Sequence, residues 1–373
     1  MAKGPTVYHV AERAGVSIAT VSFTFRQPDK VKASTRELVL AAAEELGYVP
    51  SASARGLARG RTGALGLFAY DYLLDPADGI RGDGPAPENT ENTEDPENPA
   101  AADLERRNED LRLFPLYVDE VQRGVELECW RRGQALLVGG GNPENNEAVL
   151  SDIAGRVDGL AVFPRSVPSE ALARIARRIP VVEVSENVNN RALDHVTVDN
   201  ISGVRAITEH LISAHGLSDL LFLGGMPSSD NEQRLEGFRA ALHDAGLPAT
   251  REPKYPCGSE QSLTEVVADI LRQGSLPEAF VCATDQDALV VMDALTAAGV
   301  GIPQDVAVTG FDGIAAGRVI KPSLTTVRQP MEQMGRTMVE LLLDRLDHPD
   351  KPAVNLRLPV RVVLRESCGC QPG

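Results

Sequence analysis

Long apolar runs are missing from this chain of 373 residues. No stretch reaches the roughly 18 consecutive apolar residues that predict a membrane-spanning helix, and the opening MAKGPTVYHV lacks the apolar segment of a secretory signal. Cysteine is scarce as well: there are five, an odd number scattered along the chain, which is not the pattern of a disulfide framework. These absences predict a protein of the reducing cytoplasm with no membrane partner.

The sequence also lacks the motifs of common nucleotide-binding and hydrolytic enzymes. GxGxxG, GxxxxGK[ST], GxSxG and HExxH are all absent. The six histidines are dispersed without metal-ligand spacing. Cys368 and Cys370 in the closing SCGC are interpreted as two reduced thiols in a frayed tail, with a metal or redox pair as the weaker alternative. We therefore expect no enzyme activity, no cofactor and no metal.

Charge is distributed unevenly. The net charge of −16 argues against a protein that coats nucleic acid. Residues 1–61, however, carry nine Lys or Arg against five Asp or Glu, whereas the remainder carries 28 against 48. A small basic head on a large acidic body would touch phosphate with the head while the body is repelled, and this would orient the molecule on DNA.

Three short helices are predicted in the head. The first spans 6–14 with Thr6 as its N-cap and ends at Gly15, a residue that readily takes a positive φ. Ser17 caps the second helix, which continues to about Phe25. Such a pair joined at one glycine is typical of a helix-turn-helix unit, although an ordinary helical hairpin has the same outline.

Further positions favour the DNA-binding interpretation. Ala11 and Val21 flank the turn at the offsets where a small residue lets the helices approach and a branched residue fills their angle. A third helix is predicted to begin with a capping box formed by Ser34 and Glu37.

The segments VAERAGVSIATVS, VKASTRELVLAAAEELGYVPS and ARGLARGRTG closely resemble the DNA-binding head of the lactose-repressor (LacI/GalR) family. The resemblance implies a homodimer that reads a near-palindromic double-stranded operator. It also implies that residues 51–61 form a hinge helix that folds on the operator, with a leucine pressed into the minor groove. The matching minor-groove residues are Ala54, Arg55 and Leu57. A linker leucine packed on the body is the alternative for Leu57.

The second helix of the head is expected to read the major groove. Its predicted contacts are Ser17, Ile18, Ala19, Thr20, Ser22 and Phe23. The predicted phosphate contacts are Tyr8, Arg26, Lys30, Lys32, Thr35 and Tyr48. Phe23 stands where family members often have an arginine, so we expect apolar contact with thymine methyl groups in place of a guanine preference. Packing of Phe23 inside the head is the alternative.

The body is predicted to be an α/β structure with two doubly wound parallel-sheet subdomains. Short apolar runs without alternation are separated by amphipathic helical stretches, which is typical of buried parallel strands. These runs cover 64–70, 134–140, 159–163, 180–184, 220–225, 279–283 and 306–311. A ligand is expected between the subdomains, near the carboxyl ends of the strands.

The body resembles the periplasmic-binding-protein-like effector domain of the same family, carried by VDGLAVFPRS, HVTVDNISGV, RLEGFRAAL, CATDQDALVVMDAL, DVAVTGFDG and PSLTTVRQP. The implied effector contacts are Tyr117, Ser166, Arg234, Thr284, Asp285, Asp312 and Gln329. An arginine and a carboxylate together suit the vicinal polar groups of a sugar or similar metabolite. Gly313 departs from the family by replacing a common second aspartate. Surface exposure of Arg234 and helix capping by Asp312 are the alternatives.

The expected divisions of the chain are 1–50 for the head, 51–61 for the hinge, 62–365 for the body and 366–373 for the tail. Within the body, the first subdomain is expected to hold 62–198 with 325–330, and the second 199–324 with 331–365. Residues 71–110 carry 13 acidic residues against three Arg, a composition that predicts a disordered insertion. A tolerated surface loop is favoured, with a lid or a repellent of DNA as the alternative.

These features together predict an effector-controlled transcription regulator, most simply a repressor. Release of DNA by the effector and promotion of DNA binding by it are both open. Two rival hypotheses are a metabolite-processing enzyme with an appended DNA-binding head and a regulator that responds to a protein partner instead of a small ligand. Turnover of a bound ligand would favour the first rival, and failure to bind any small molecule would favour the second.

Overall fold

A computed structural model describes residues 5–49, 61–70, 116–141, 146–163, 168–185, 193–224, 228–248, 251 and 262–371. The predicted insertion at 71–110 and nearly all of the predicted hinge at 51–61 lie outside these ranges. By its internal contacts the chain falls into two units, one of residues 1–64 with 156–158 and one of 65–155 with 159–373. No helix in the described ranges has the length and apolarity of a membrane span.

The head contains three α-helices and a short 3-10 turn. Their bounds are α1 (Val7–Ala14), α2 (Ile18–Arg26), the 3-10 turn (Pro28–Lys30) and α3 (Ala33–Leu46). Gly15 ends α1 with φ of 65°, and the Ser17 hydroxyl accepts from Thr20 N at 3.1 Å at the start of α2. Apolar faces of the helices form a small core: Val10, Ala11, Val21, Val39, Ala42 and Ala43. The starts of α1 and α2 and the turn between them agree with the sequence-based expectation.

The predicted capping box of α3 is wrong. The helix begins two residues earlier than that motif requires, with Lys32 as its N-cap and without a side-chain cap. The Lys32 carbonyl accepts from the backbone N–H groups of Thr35 and Arg36 at 3.0 and 2.9 Å. Ser34 therefore lies inside the first turn and cannot act as the residue that precedes it.

The body is built from nine further α-helices and eleven strands in the described ranges. The helices are α4 (Leu116–Arg132), α5 (Asn146–Ala154), α6 (Ser169–Ala176), α7 (Asn200–His215), α8 (Ser229–Asp244), α9 (Leu263–Arg272), α10 (Asp285–Ala297), α11 (Ala316–Val319) and α12 (Met331–Asp347). The strands are β1 (Ala64–Tyr70), β2 (Ala135–Gly141), β3 (Gly159–Val162), β4 (Val181–Val184), β5 (Asp194–Val198), β6 (Leu220–Leu223), β7 (Ala279–Cys282), β8 (Ala307–Asp312), β9 (Thr325–Arg328), β10 (Asn355–Leu358) and β11 (Arg361–Val363).

The strands form two sheets. The first has the order β10-β5-β4-β3-β1-β2, and the second has the order β11-β9-β8-β7-β6. Strands β6 to β9 pair in parallel, whereas β11 is antiparallel to β9. Strands β3 to β9 are buried over almost their whole length, because helices cover both faces of a doubly wound sheet. The prediction of two α/β subdomains is confirmed.

The predicted division between the subdomains is wrong after residue 324. Strand β9 belongs to the second sheet, whereas β10 belongs to the first. Helix α12 packs along α4 and against β3, β4 and β5, so it also belongs to the first subdomain. Two glycines permit this close helix packing: a Cβ at Gly124 would lie 2.0 Å from the Glu332 carbonyl oxygen, and one at Gly335 would lie 2.0 Å from the Val121 carbonyl oxygen.

The segment near the C-terminus is docked, so the expectation of a frayed tail is wrong up to residue 371. Residues Glu366–Cys368 form a 3-10 turn in which Ser367 is fully buried. The Ser367 hydroxyl donates to the Val308 carbonyl at 2.6 Å, and its backbone N–H donates to the Ser323 carbonyl at 2.9 Å. These bonds replace hydration of buried polar groups and fix the tail to the second sheet.

Candidate functional site

A cavity of about 240 Å³ with polar and apolar walls lies between the two sheets, inside the second unit. Its walls come from the ends of β4, β5, β7, β8 and β9, from the start of α8 and from α4 and α12. The lining residues are Tyr117, Val184, Ser185, Thr197, Val198, Ser228, Asp230, Asn231, Arg234, Thr284, Gln286, Asp312, Gln329 and Met334. Carboxyl ends of parallel strands from two subdomains are where such folds place ligands.

Arg234 is held rigidly beneath the cavity by α8. Its Nε donates to Asn200 Oδ1 at 2.9 Å, and its Nη1 donates to the Ala283 carbonyl at 2.8 Å. The guanidinium carbon lies 3.8 Å from the centre of the Phe311 ring, a cation–π contact. Within the described ranges Nη2 has no hydrogen-bond partner, so this nitrogen is available to a ligand. The alternative that Arg234 is a surface residue is therefore wrong, because the residue is buried.

Asp312 ends β8 and faces the same cavity. Gln329 Nε2 donates to its Oδ1 at 2.6 Å, and Arg234 Nη1 lies 3.8 Å from that oxygen. Burial raises the pKa of Asp312 to about 8, and the neighbouring Asp285 adds to the rise, whereas Arg234 and Gln329 oppose it. The carboxyl is therefore poised to exchange a proton near neutral pH, which is a property of functional sites.

Two cavity residues other than glycine have strained backbones. Ser185 has φ of 81°, and Asp312 has φ of 124°. Such conformations cost of order 1–3 kcal/mol each and persist where surrounding structure imposes them, which is often at ligand sites.

Gly313, the departure from the family pattern, has a steric cause. Its φ is +80°, and a Cβ there would lie 2.7 Å from Arg328 Cβ. Its backbone N–H donates to Asp285 Oδ2 at 2.7 Å. The side chain of a second aspartate would not fit in this backbone arrangement. The glycine therefore belongs to a different local backbone, and it is not simply the loss of one carboxylate from an unchanged site.

Asp285 does not line the cavity, contrary to the sequence-based prediction. Its carboxylate accepts from the backbone N–H groups of Gly313 and Ile314 and from the Thr326 hydroxyl, at 2.5–2.9 Å. The Asp285 carboxylate therefore links the start of α10 to the residues that follow β8 and to β9. Thr284 is the cavity residue of this pair, and its hydroxyl also caps α10 by accepting from Asp287 N at 3.0 Å.

Tyr117 lies on α4 with its ring edge against Phe163, at a centroid distance of 6.2 Å. Burial raises the pKa of its phenol above the usual range, with further contributions from Asp230 and Asp312. The side chain therefore presents a neutral hydroxyl and an apolar ring. Predicted stacking against the apolar face of a ligand is compatible with this position.

The sequence-based prediction missed several polar residues of the cavity: Ser185, Thr197, Ser228, Asp230, Asn231 and Gln286. Ser228 caps α8 by accepting from Asn231 N at 3.2 Å, and Asp230 accepts from Asn200 Nδ2 at 2.8 Å. A helix start directly after a buried strand was the available signal, because it places the first turn at the carboxyl edge of the sheet. Predicted contact Ser166 lies outside the described residues.

In the head, α2 presents the surface that was assigned to the major groove. Ser17, Ile18 and Ala19 are exposed, Thr20 and Ser22 are half-buried, and Val21 is buried. Phe23 is 43% exposed and outside the head core, which speaks against the packing alternative. Phe25 is the aromatic residue that packs inward.

Five of the six residues assigned to phosphate have described side chains. Tyr8, Lys30 and Lys32 are exposed, and Thr35 is half-buried. Tyr48 is also half-buried, with its ring centroid 6.0 Å from that of Phe25. The side chain of Arg26 and the hinge residues Ala54, Arg55 and Leu57 lie outside the described part of the chain.

Comparison with known proteins gives a consistent result for both units. Residues 6–51 match the model of bacterial regulatory proteins of the lacI family, and residues 208–368 match that of a periplasmic binding protein-like domain. The chain is 28% identical to the HTH-type transcriptional repressor PurR of Pasteurella multocida (strain Pm70), over 97% of this chain and 98% of the relative.

Two solved structures cover almost the entire chain. A lac repressor dimer bound to operator and the anti-inducer ONPF is 25% identical, with a TM-score of 0.75, over 98% of this chain and 99% of that one. A complex of the transcriptional regulator CelR with cellobiose is 27% identical, with a TM-score of 0.64, over 97% and 99%. These similar proteins are regulators rather than enzymes.

Proposed function

The chain belongs to the lacI family of bacterial regulatory proteins, and on that premise we propose a homodimeric, cytoplasmic repressor whose operator affinity is set by a small polyhydroxy effector. The effector occupies the cavity between the sheets, and the operator is a near-palindromic duplex contacted by two heads. This proposal assigns effector binding to Tyr117, Arg234, Thr284, Asp312 and Gln329.

One observation carries the effector proposal: a buried arginine, carboxylate and amide meet on the same wall of an otherwise partly apolar cavity. Arg234 offers Nη2 as a donor, Asp312 offers acceptor oxygens, and Gln329 holds the carboxylate in place at 2.6 Å. Vicinal hydroxyl groups match such a set of donors and acceptors. The cellobiose complex of CelR supports a sugar as the class of ligand.

The size of the cavity favours a compact effector. Its volume of about 240 Å³ is below the roughly 300–1,000 Å³ of sites for drug-sized ligands. We therefore infer that a monosaccharide or a molecule of similar size fits better than a long oligosaccharide. Tyr117 and Met334 supply the apolar side on which a sugar ring face can lie.

Two observations support the DNA and dimer parts of the proposal. The exposed face of α2 carries small polar and apolar side chains that can reach base edges, with exposed lysines beside it. Trp130 on α4 is 79% exposed, and Val138 on the neighbouring edge strand β2 is also exposed. An exposed tryptophan is typical of interaction surfaces, and the lac repressor structure is a dimer.

The first test identifies both ligands of the full chain. An operator is selected from randomised duplexes, and isothermal titration then compares monosaccharides, disaccharides and nucleosides. We expect one class to bind and to change operator affinity by about 5–150-fold, the range of a coupling of roughly 1–3 kcal/mol. Arg234→Ala should abolish effector binding, whereas Arg239→Ala, an exposed arginine on the same helix, should not.

Three results would contradict the proposal in different ways. Absence of a selected operator would refute the DNA-binding part. Operator binding without a response to any small molecule would favour control by a protein partner. Chemical conversion of the bound ligand, detected by mass spectrometry of the titrated mixture, would favour the enzyme hypothesis.

A further inference from the structure

Four metal-ligating side chains meet on the second subdomain, away from the effector cavity. His210 and His215 lie in the last turns of α7, and Cys368 and Cys370 come from the docked tail. One ligand atom from each of the four lies within 4.8 Å of all the others. Cys368 is buried and the other three residues are half-buried, so the group is partly shielded from water.

Four of the six separations between these atoms are close to those of a tetrahedral zinc site. His210 Nε2 lies 3.2 Å from His215 Nε2 and 3.3 Å from Cys370 Sγ. Cys370 Sγ lies 3.4 Å from His215 Nε2, and Cys368 Sγ lies 4.0 Å from His210 Nε2. Zinc bonds of about 2.3 Å to sulfur and about 2.0–2.1 Å to nitrogen require ligand atoms about 3.3–3.8 Å apart in a tetrahedron.

The surrounding structure fixes both halves of this group. Helix α7 ends at Gly216, which takes φ of 70° and closes the last turn beside His215. On the tail, Gly369 has φ of +96°, and a Cβ there would lie 3.5 Å from His215 Cε1. The Thr325 hydroxyl oxygen lies 3.1 Å from Cys368 Sγ. Polar groups that contact a ligand sulfur are typical of structural metal sites.

We propose that His210, His215, Cys368 and Cys370 bind one Zn²⁺ ion, or a cation of the same class, in a closed structural site. Four protein ligands fill the tetrahedron and leave no open position for a substrate, which distinguishes a structural site from a catalytic one. Both cysteines bind as thiolates, so binding releases two protons to solvent. The ion clamps the tail to α7.

The alternative for the two cysteines is a disulfide between Cys368 and Cys370. Such a bond would remove both thiolates and with them the metal site.

The site is tested on the full chain, purified under reducing conditions and stripped of metal with a chelator. Titration with Co²⁺ should give the visible d–d bands and the sulfur-to-cobalt charge-transfer band of a tetrahedral site with two sulfur and two nitrogen ligands. Elemental analysis after incubation with Zn²⁺ and desalting should give one zinc per chain. Zinc should also raise the Tm of the stripped protein.

Matched variants separate the four ligands from other thiols and histidines. His215→Ala and Cys370→Ser should each weaken zinc binding by more than about 100-fold, beyond the loss caused by removing an outer hydrogen-bond partner of a ligand. His243→Ala, an exposed histidine on α8, and Cys129→Ala, a buried cysteine on α4, should keep the wild-type metal content.

Each contrary result overturns the proposal. Lack of cobalt bands in the reduced wild type shows that the four residues do not form a metal site, whether or not the variants fold. Undiminished bands in both ligand variants place the metal elsewhere. A Cys368–Cys370 disulfide, found by thiol alkylation and mass spectrometry in protein from the cytoplasm, favours the redox alternative. None of these readouts depends on operator or effector binding.

Discussion

Effector affinity should rise with pH through the neutral range, because the Asp312 carboxyl must lose a proton before both its oxygens can accept from ligand hydroxyls. Burial raises its pKa to about 8, with Asp285 and Asp287 adding to the rise and Arg234 and Gln329 opposing it. Below that pH most chains without effector hold a neutral carboxyl. Effector binding then releases a proton, and the cost of releasing it weakens the observed affinity.

The size of the effect follows from proton linkage. Below the pKa, affinity should increase about tenfold per pH unit, equivalent to about 1.4 kcal/mol, and it should level off above about pH 8. Asp312→Asn keeps the shape but removes the ionisable group. Its affinity at high pH should be lower by the roughly 1.5–3 kcal/mol of a hydrogen bond to a charged group, and its pH dependence should disappear.

Isothermal titration of the selected sugar between about pH 6 and 9 measures both quantities. Repeating it in buffers of different ionisation enthalpy counts the released proton directly. Arg239→Ala serves as the control that leaves the cavity intact. Constant affinity over this range, or an equal slope in Asp312→Asn, would refute the assignment of the proton to Asp312.

The raised pKa of Asp312 also affects the stability of the chain without effector. The pKa of Asp312 is higher in the folded chain than its ordinary value of 3.8, so the folded state binds more protons between that value and about 8. The protonated carboxyl of Asp312 therefore contributes its full stabilisation at pH values below its ordinary pKa. This contribution is lost as the pH rises through the pKa of the folded chain. The free energy of unfolding of wild type, relative to Asp312→Asn, should fall with pH across this window in urea titrations.

Three further predictions concern other parts of the chain. Phe23→Arg should introduce a guanine preference of about 1–3 kcal/mol at one symmetric pair of operator positions, and an unaltered motif in duplex selection would contradict this. Gly274→Ala should lower the free energy of unfolding by about 1–2 kcal/mol, because the left-handed backbone of this residue is unfavourable for alanine. Gly313→Ala should cost about 1–3 kcal/mol more, because its Cβ would lie 2.7 Å from a neighbouring arginine side chain, and equal losses in urea would show that the chain relaxes there. Trp130→Ser should weaken self-association by about 2 kcal/mol in sedimentation experiments, whereas Val319→Ser, at a similarly exposed position, should leave it unchanged.

The strands that sequence reasoning identified are those with continuous apolar character. Strand β1 matches its predicted bounds of 64–70, and β3 and β4 differ from theirs by one residue. Strands β5, β9, β10 and β11 were missed, since DHVTV, TTVR, NLRL and RVV are short and mix polar residues into the run. Their pairing depends on neighbouring strands rather than on their own pattern. The wrong division between the subdomains follows from these missed strands.

The cavity illustrates a different limit of prediction from sequence. Resemblance correctly pointed to strand ends, and five of the residues chosen in this way line the cavity. Asp285 failed because it is adjacent to Thr284 at a helix start, where consecutive side chains point in different directions. The carboxylate turns toward Gly313 and Thr326, partners that lie 28 and 41 residues away in the chain. Such a choice depends on tertiary contacts that no local pattern contains.

The metal-ligating group shows why spacing alone is an incomplete search. His210 and His215 are five residues apart on one helix, and the two cysteines follow about 150 residues later, so no compact ligand motif exists in the sequence. The group forms because β8 and β9 bind the tail through Ser367 at a fixed depth, directly beside the end of α7. The hydrogen bonds of Ser367 with Val308, Ser323 and Thr325 do not involve the histidines. The two halves are therefore preorganised, and a cation that joins them gains affinity because little chain entropy is lost on binding.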